Sequence, residues 1–210
     1  MGKHLPDVEF ERLRRALKAG GIGERMKAIR ALGESRDGRA VRPLIAVLQN
    51  ENGFVWQAAA AALGKLGGKE AARALVTSLF KDDFYFDKHE PTPHSTTYVT
   101  RALLNVGVPA VPFLLAALEN EKWANSGRCG RWRAADVLGR MKAKTAVPGL
   151  LMHLAAGGDD VRPAVAVALA AIGDPAALPG LRLVAAHDPL PGVRLRAQNA
   201  VERIAKIQAR

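Results

Sequence analysis

Two short motifs alternate along this chain, and their recurrence constrains the fold more than any other feature. The first is Ala-Val-x-x-Leu or a close variant. It stands at Ala40-Val41-Arg42-Pro43-Leu44, Ala71-Ala72-Arg73-Ala74-Leu75 and Ala110-Val111-Pro112-Phe113-Leu114, then at Ala146-Val147-Pro148-Gly149-Leu150 and Ala177-Leu178-Pro179-Gly180-Leu181. Its leading alanines lie 31, 39, 36 and 31 residues apart. The second motif is Ala-Leu-Gly or a relative, at Ala31-Leu32-Gly33, Ala62-Leu63-Gly64, Ala102-Leu103-Leu104, Val137-Leu138-Gly139, Ala168-Leu169-Ala170 and Ala200-Val201-Glu202. Its spacings are 31, 40, 35, 31 and 32. The two markers drift together, as they must if one structural unit repeats.

Each marker sits in a helical pattern. The run Val161-Arg162-Pro163-Ala164-Val165-Ala166-Val167-Ala168-Leu169 places apolar residues at i, i+4, i+7 and i+8. Asp37, Asp160 and Asp174 stand where N-caps are wanted, and Pro175 follows in a tolerated first-turn position. Pro112, Pro148 and Pro179 fall a few residues into a helix and are expected to bend it. The pattern predicts six helix pairs. First helices are expected near 7–19, 37–50, 68–80, 108–120, 144–156 and 174–187, and second helices near 23–34, 53–65, 95–106, 130–142, 160–172 and 192–208. No pair can bury its apolar stripe alone. The expected fold is therefore all-α, a right-handed α-solenoid stacked as a single domain over 1–210. Composition agrees: 49% of the 210 residues are hydrophobic but only 5% aromatic, so alanine-rich helices pack closely.

The run Val161 to Leu181, Val-Arg-x-Ala…Ala-Leu-x-x-Ile-Gly-Asp-Pro-x-Ala-Leu-Pro-x-Leu, resembles a HEAT repeat of the phycobilisome-lyase-like subgroup, and the resemblance extends over essentially the whole chain. It implies an armadillo-like superhelix with second helices lining the concave face and proline-bearing helices the convex one. It also implies a role as scaffold or adaptor, with bilin lyase or lyase-like chaperone as one alternative. HEAT-repeat deoxyhypusine hydroxylases carry His-Glu pairs in their second helices. The matching positions here are Met26-Lys27, Gln57-Ala58, Thr97-Tyr98, Trp132-Arg133, Pro163-Ala164 and Leu195-Arg196, so that di-iron chemistry does not carry over.

Two departures from the repeat mark candidate functional segments. The distance from the first-helix leucine to the matching second-helix residue is 19 from Leu44 to Leu63 and from Leu150 to Leu169 and 20 from Leu181 to Val201, but 28 from Leu75 to Leu103 and 24 from Leu114 to Leu138. Insertions therefore enter near 81–94 and 119–130, on one edge of the expected solenoid. Eight of the eleven aromatic residues fall between Phe80 and Trp132. An aromatic-rich loop in an aromatic-poor chain points to recognition, so Phe84, Tyr85, Phe86 and Trp123 are insertion-edge candidates. Gly127-Arg128-Cys129-Gly130-Arg131-Trp132-Arg133 places arginines and glycines at a helix start, where anions are favoured. His89 and His94 lie among carboxylates, but Pro91 and Pro93 hold them apart in a spacing that matches no rigid site. The expectation is a solvated loop with no metal and no cofactor.

The formal charge is +11, with local balances of +5 over 1–50, −1 over 51–90, +5 over 91–145 and +2 over 146–210. A basic surface suggests an acidic partner. Arg25, Trp56, Thr96, Arg131, Arg162 and Arg194 share one second-helix position, and Arg30, Ala61, Arg101, Asp136, Val167 and Asn199 another. An arginine stripe with interleaved tryptophan is suitable chemistry for nucleic acid. The binding candidates are therefore Trp56, Tyr98, Arg101, Arg128, Arg131, Trp132, Arg133 and Asp136. No nucleophile elbow, dinucleotide loop or paired-carboxylate motif appears, so no catalytic residue is assigned. One cysteine excludes a disulfide framework. No run of 18 apolar residues and no signal-peptide core between Met1 and Phe10 are present, so a cytoplasmic location is expected. The leading expectation is a non-catalytic scaffold that binds a protein through its concave face and insertion edge. A nucleic-acid binder is the alternative beside the lyase.

Overall fold

A computed structural model describes residues 4–51, 53–79, 98–120 and 131–209. The insertion at 81–94 and most of the one at 119–130 lie outside the described residues, and with them Phe84, Tyr85, Phe86, His89, His94, Trp123 and Arg128. The chain groups into two compact units, Met1–Ala110 and Val111–Arg210. Among the described residues every regular element is helical.

The first unit holds α1 (Asp7–Ala19), α2 (Ile22–Ser35), α3 (Val41–Asn50), α4 (Gly53–Leu66), α5 (Gly68–Thr77) and α6 (Tyr98–Val106). The second holds α7 (Val111–Leu118), α8 (Trp132–Arg140), α9 (Val147–Ala156), α10 (Arg162–Ile172), α11 (Leu178–His187) and α12 (Pro191–Gln208). Odd-numbered helices are the first members of each pair and even-numbered ones the second. Within the first unit α2, α4 and α6 lie side by side in that order; within the second, so do α8, α10 and α12. Each unit is thus an all-α stack of helix pairs, with the repeating topology of a solenoid.

The motif residues are the core. Ala40, Ala71, Ala110, Ala146 and Ala177 are fully buried, as are Leu44, Leu75, Leu114, Leu150 and Leu181. On the second helices Leu32, Leu63, Leu103, Leu138 and Leu169 are equally inaccessible. The glycine that ends Ala-Leu-Gly has a packing cause. A Cβ on Gly33 would lie 2.7 Å from Ala62 Cβ, one on Gly64 2.7 Å from Ala102 Cα, and one on Gly139 3.0 Å from Ala168 Cα. These glycines let successive second helices approach backbone to backbone.

The prolines do less than expected. Four first helices begin as a 3-10 turn, at Gly38–Ala40, Val108–Ala110, Lys144–Ala146 and Pro175–Ala177, and the α-helix proper starts one residue later. Pro148 and Pro179 therefore stand in the opening turn of α9 and α11, where the missing N–H has no helical partner to lose. Asp37 and Asp174 cap these 3-10 turns by accepting from the N–H of Arg39 and Ala176. Asp160 is not a cap: α10 has no side-chain cap, and the Asp160 carboxylate instead receives Arg131 at 2.6 Å.

Candidate functional site

The second-helix position that reads in sequence as an arginine–tryptophan stripe is a structural clamp. Arg25 pairs with Glu51, in the loop before α4. Arg131 donates through Nε and Nη2 to Asp160, before α10. Arg162 donates through Nε to Asp188 at 2.8 Å, before α12, and its Nη1 reaches the Gly157 carbonyl. Arg194 donates to the carbonyls of Asp188 and Pro189. Three of these arginines reach forward to a carboxylate one repeat on, and their side chains keep only 12–18% exposure. A position that faces a neighbouring loop is inward-facing. Trp56 occupies the same position in α4 and is completely buried. The expectation that Trp56 and Arg131 are exposed recognition residues is corrected accordingly: one is core, and the other is held by a carboxylate.

The clamp has an electrostatic signature. Asp188 is buried, and the Arg162 guanidinium, with help from the Leu190 N–H, holds its carboxyl below the ordinary carboxylate value. The same pair raises Arg162. Asp37 works similarly in the first unit. Its carboxylate accepts from the Arg39 guanidinium and from the backbone N–H of Arg39 and Leu5, which drives it far below the usual range.

The neighbouring stripe, Arg30–Ala61–Arg101, behaves differently. All three residues are exposed. They lie in a groove of about 500 Å³ across α2, α4 and α6, wholly within the first unit. Its origin is local. Small residues at Gly33, Ala58, Ala61, Ala62 and Ala102 form the floor, and the close approach at Gly33 and Gly64 brings the helices together. Longer side chains on the flanking helices form walls. The middle helix carries Ala61 where its neighbours carry Arg30 and Arg101, so the two guanidinium groups stand on either side of a depression. Neither arginine has an ion-pair partner among the described residues.

The groove is graded along its length. At the N-terminal end of α4 it is lined by Phe54, which is 77% exposed, by Tyr98, 41% exposed, and by Met26. One helical turn on comes the arginine pair. At the far end Lys65 approaches Glu34 at 3.5 Å, with Asn105 alongside. Phe54 therefore stands in water at the rim of a depression flanked by two arginines.

Of the sequence candidates, Tyr98 and Arg101 come together in this groove. Arg131, Trp132, Arg133 and Asp136 belong to the second unit. There Trp132 is 40% exposed at the start of α8, with the Arg133 guanidinium 6.0 Å from its ring centre. Asp136 is engaged by Arg140 at 2.9 Å. Phe54, Gln57 and Arg30 were not among the binding candidates. Arg30 shared a register with Arg101 and so carried a signal; Phe54, alone between two glycine-bearing segments, carried none. Among the described residues no group of three potential metal ligands occurs, and no single helix is long and apolar enough to cross a membrane.

The family model for HEAT repeats matches residues 11–90 and 111–202, and the chain belongs to that family. No curated protein matches it. Among solved structures, human deoxyhypusine hydroxylase in complex with glycerol is similar at 22% identity, with 96% of this chain and 86% of that one covered and a TM-score of 0.46. The complex of CpcE and CpcF of phycocyanin lyase from Nostoc sp. PCC7120 is similar at 23% identity, 95% and 83% coverage and a TM-score of 0.42. A designed armadillo repeat protein follows at 16% identity, 93% and 99% coverage and a TM-score of 0.40. These likenesses concern the fold.

Proposed function

We propose that this HEAT-repeat chain is a non-catalytic scaffold that binds a protein partner through the second-helix face of its first unit. The observation that carries the reading is the groove over α4, where Phe54, Tyr98 and two arginines without carboxylate partners among the described residues surround an alanine floor. The clamp arginines hold the stack together, whereas Arg30 and Arg101 hold nothing described. Charge and aromatic surface that the fold does not consume are available to a ligand. A continuous phosphate-tracking stripe is not supported, because Trp56 is core and Arg25, Arg131 and Arg162 are already neutralised.

The test is site-specific photocrosslinking in a native lysate. A benzophenone side chain at Ala61 should capture a protein, and an excess of unlabelled wild-type chain should compete. The same probe at Met152, an exposed residue of α9, is the control. Equal capture at both positions, or capture at Ala61 that nuclease abolishes, would refute the reading.

A further inference from the structure

The grading of the groove specifies more than a protein partner. We infer that its ligand is a short acidic segment that presents an apolar or aromatic side chain two residues away from a carboxylate. The inference rests on the protein-binding reading of the same groove.

The argument starts from register. A Cβ on Gly33 would meet Ala62 and one on Gly64 would meet Ala102, each two residues short of the motif equivalent, so neighbouring second helices are in register to within about two residues, about 3 Å of rise. Within that stagger Tyr98 corresponds to Ala58, and Arg30 and Arg101 correspond to Ala61. Helices rise about 1.5 Å per residue, so Phe54 lies about 10 Å and the Tyr98 level about 4.5 Å before the arginine pair. The centre of the aromatic end is thus about 7 Å from the arginine positions along the helix axes, and the stagger leaves a window of about 4–10 Å. An extended peptide advances about 3.3 Å per residue, and its residues i and i+2 point to the same side. An apolar side chain on the Phe54–Tyr98 end therefore places the side chain two positions on between Arg30 and Arg101. Only an anion suits that place. A carboxylate accepts charge-assisted hydrogen bonds from both guanidinium groups, whereas an ammonium group would be repelled. From Phe54 to Lys65 the groove runs about 16 Å, room for about five extended residues.

A peptide fits this better than a nucleic-acid strand. The next level beyond the arginines carries Glu34, its charge shared with Lys65 at 3.5 Å, so the cationic stretch is one level deep. A sugar-phosphate chain would meet that carboxylate at its next phosphate. A segment with a single carboxylate meets it with an uncharged residue, and Gln57 and Asn105 supply amides for its backbone.

The experiment uses the full chain and a phage library of randomised eight-residue peptides. Selection on the wild type is followed by counter-selection on Ala61→Arg, which fills the depression at an exposed position. The expected result is enrichment of an apolar or aromatic residue two positions from Asp or Glu. A synthetic peptide from that pool should bind at least about tenfold more weakly to Arg101→Glu, and the same peptide with its carboxylate changed to Lys should regain affinity for Arg101→Glu. Circular dichroism checks that both variants stay folded, and Arg30→Glu is a second charge reversal should either fail. Groove-dependent peptides without an acidic position would overturn this inference and leave the protein-binding reading standing. Absence of any peptide sensitive to Ala61→Arg would overturn both. A single-stranded twelve-nucleotide probe that binds in an Arg101-dependent way and displaces the peptides would assign the groove to nucleic acid.

Discussion

Replacing Gly64 by alanine should destabilise the protein even though alanine is the better helix former. Gly64 lies inside α4, and in open space the change would stabilise by up to about 1 kcal/mol. Here the new Cβ would stand 2.7 Å from Ala102 Cα and 3.0 Å from both Ala102 Cβ and its carbonyl oxygen. These atoms are backbone or tied directly to it, so no side chain can rotate away. Relief requires α4 and α6 to separate by about 1 Å, which forfeits a quarter to a half of the dispersion along the contact. Overpacking of this kind costs about 1–3 kcal/mol, and its upper end applies where the obstacle is backbone. The net expectation is a loss of about 1–2 kcal/mol. Gly23→Ala is the matched control, since it lies in α2 with nothing within 4 Å of the added Cβ. It should be neutral or stabilising by about 0.5 kcal/mol. Gly139→Ala, at 3.0 Å from Ala168 Cα, should fall between them. Urea unfolding followed by circular dichroism gives the three midpoints, with the slope checked for constancy. If Gly64→Ala were as stable as Gly23→Ala, close helix approach would not be the reason for the Ala-Leu-Gly motif.

Other consequences are equally direct. Arg162→Ala leaves the buried Asp188 carboxylate with only its Leu190 N–H and the approach of Arg194, and should cost about 1.5–3 kcal/mol. Arg42→Ala, which breaks an exposed pair with Glu70, should cost under about 1 kcal/mol by the same urea assay, and equal losses would contradict the clamp. Asp37 and Asp188 are both held below the ordinary carboxylate value of 3.8, so the unfolded chain takes up their protons first. Their contribution is complete above that value and is lost as pH falls below it; thermal unfolding should show a declining midpoint there, and a flat profile would refute the assignment. Asp37→Asn should flatten that acid limb. Leu138→Ala, at a fully buried position of the second unit, should cost about 2–5 kcal/mol by urea unfolding, and a loss no larger than that of Arg42→Ala would contradict the repeat register.

The fold was legible because solenoid packing writes itself into sequence as a period. A helix pair that must bury one stripe repeatedly uses alanine and leucine or close relatives at the same places, with glycine in three of the six second helices, and the structure places those residues in the core or at helix contacts. Helix limits were also readable. The expected 53–65 and 192–208 compare with Gly53–Leu66 and Pro191–Gln208. The prolines misled because their local effect depends on whether they fall in the first turn or the second, a difference of three residues that periodicity does not fix.

The site was legible only in part, and the reason is that two arginine positions a few residues apart on one helix face in different directions. Arg25 and Arg30 are both second-helix arginines, and both recur in later repeats as Arg131 or Arg162 and as Arg101. Five residues on a helix turn the side chain by about 140° relative to the first, so one set meets the next repeat's loop and the other opens into the groove. Composition cannot distinguish them. The carboxylates can: Glu51, Asp160 and Asp188 all stand in the loops that precede second helices, 26 or 29 residues after their arginines. An arginine with a carboxylate at that spacing is used by the fold. Arg30 lacks one, since position 30 plus 26 is Trp56 and plus 29 is Ala59, and Arg101 lacks one, since plus 26 is Gly127 and plus 29 is Gly130. In this chain the arginines that fold with a partner and the arginines that face the groove are thus separable by what lies one repeat downstream. The groove is where the second kind gathers around an alanine.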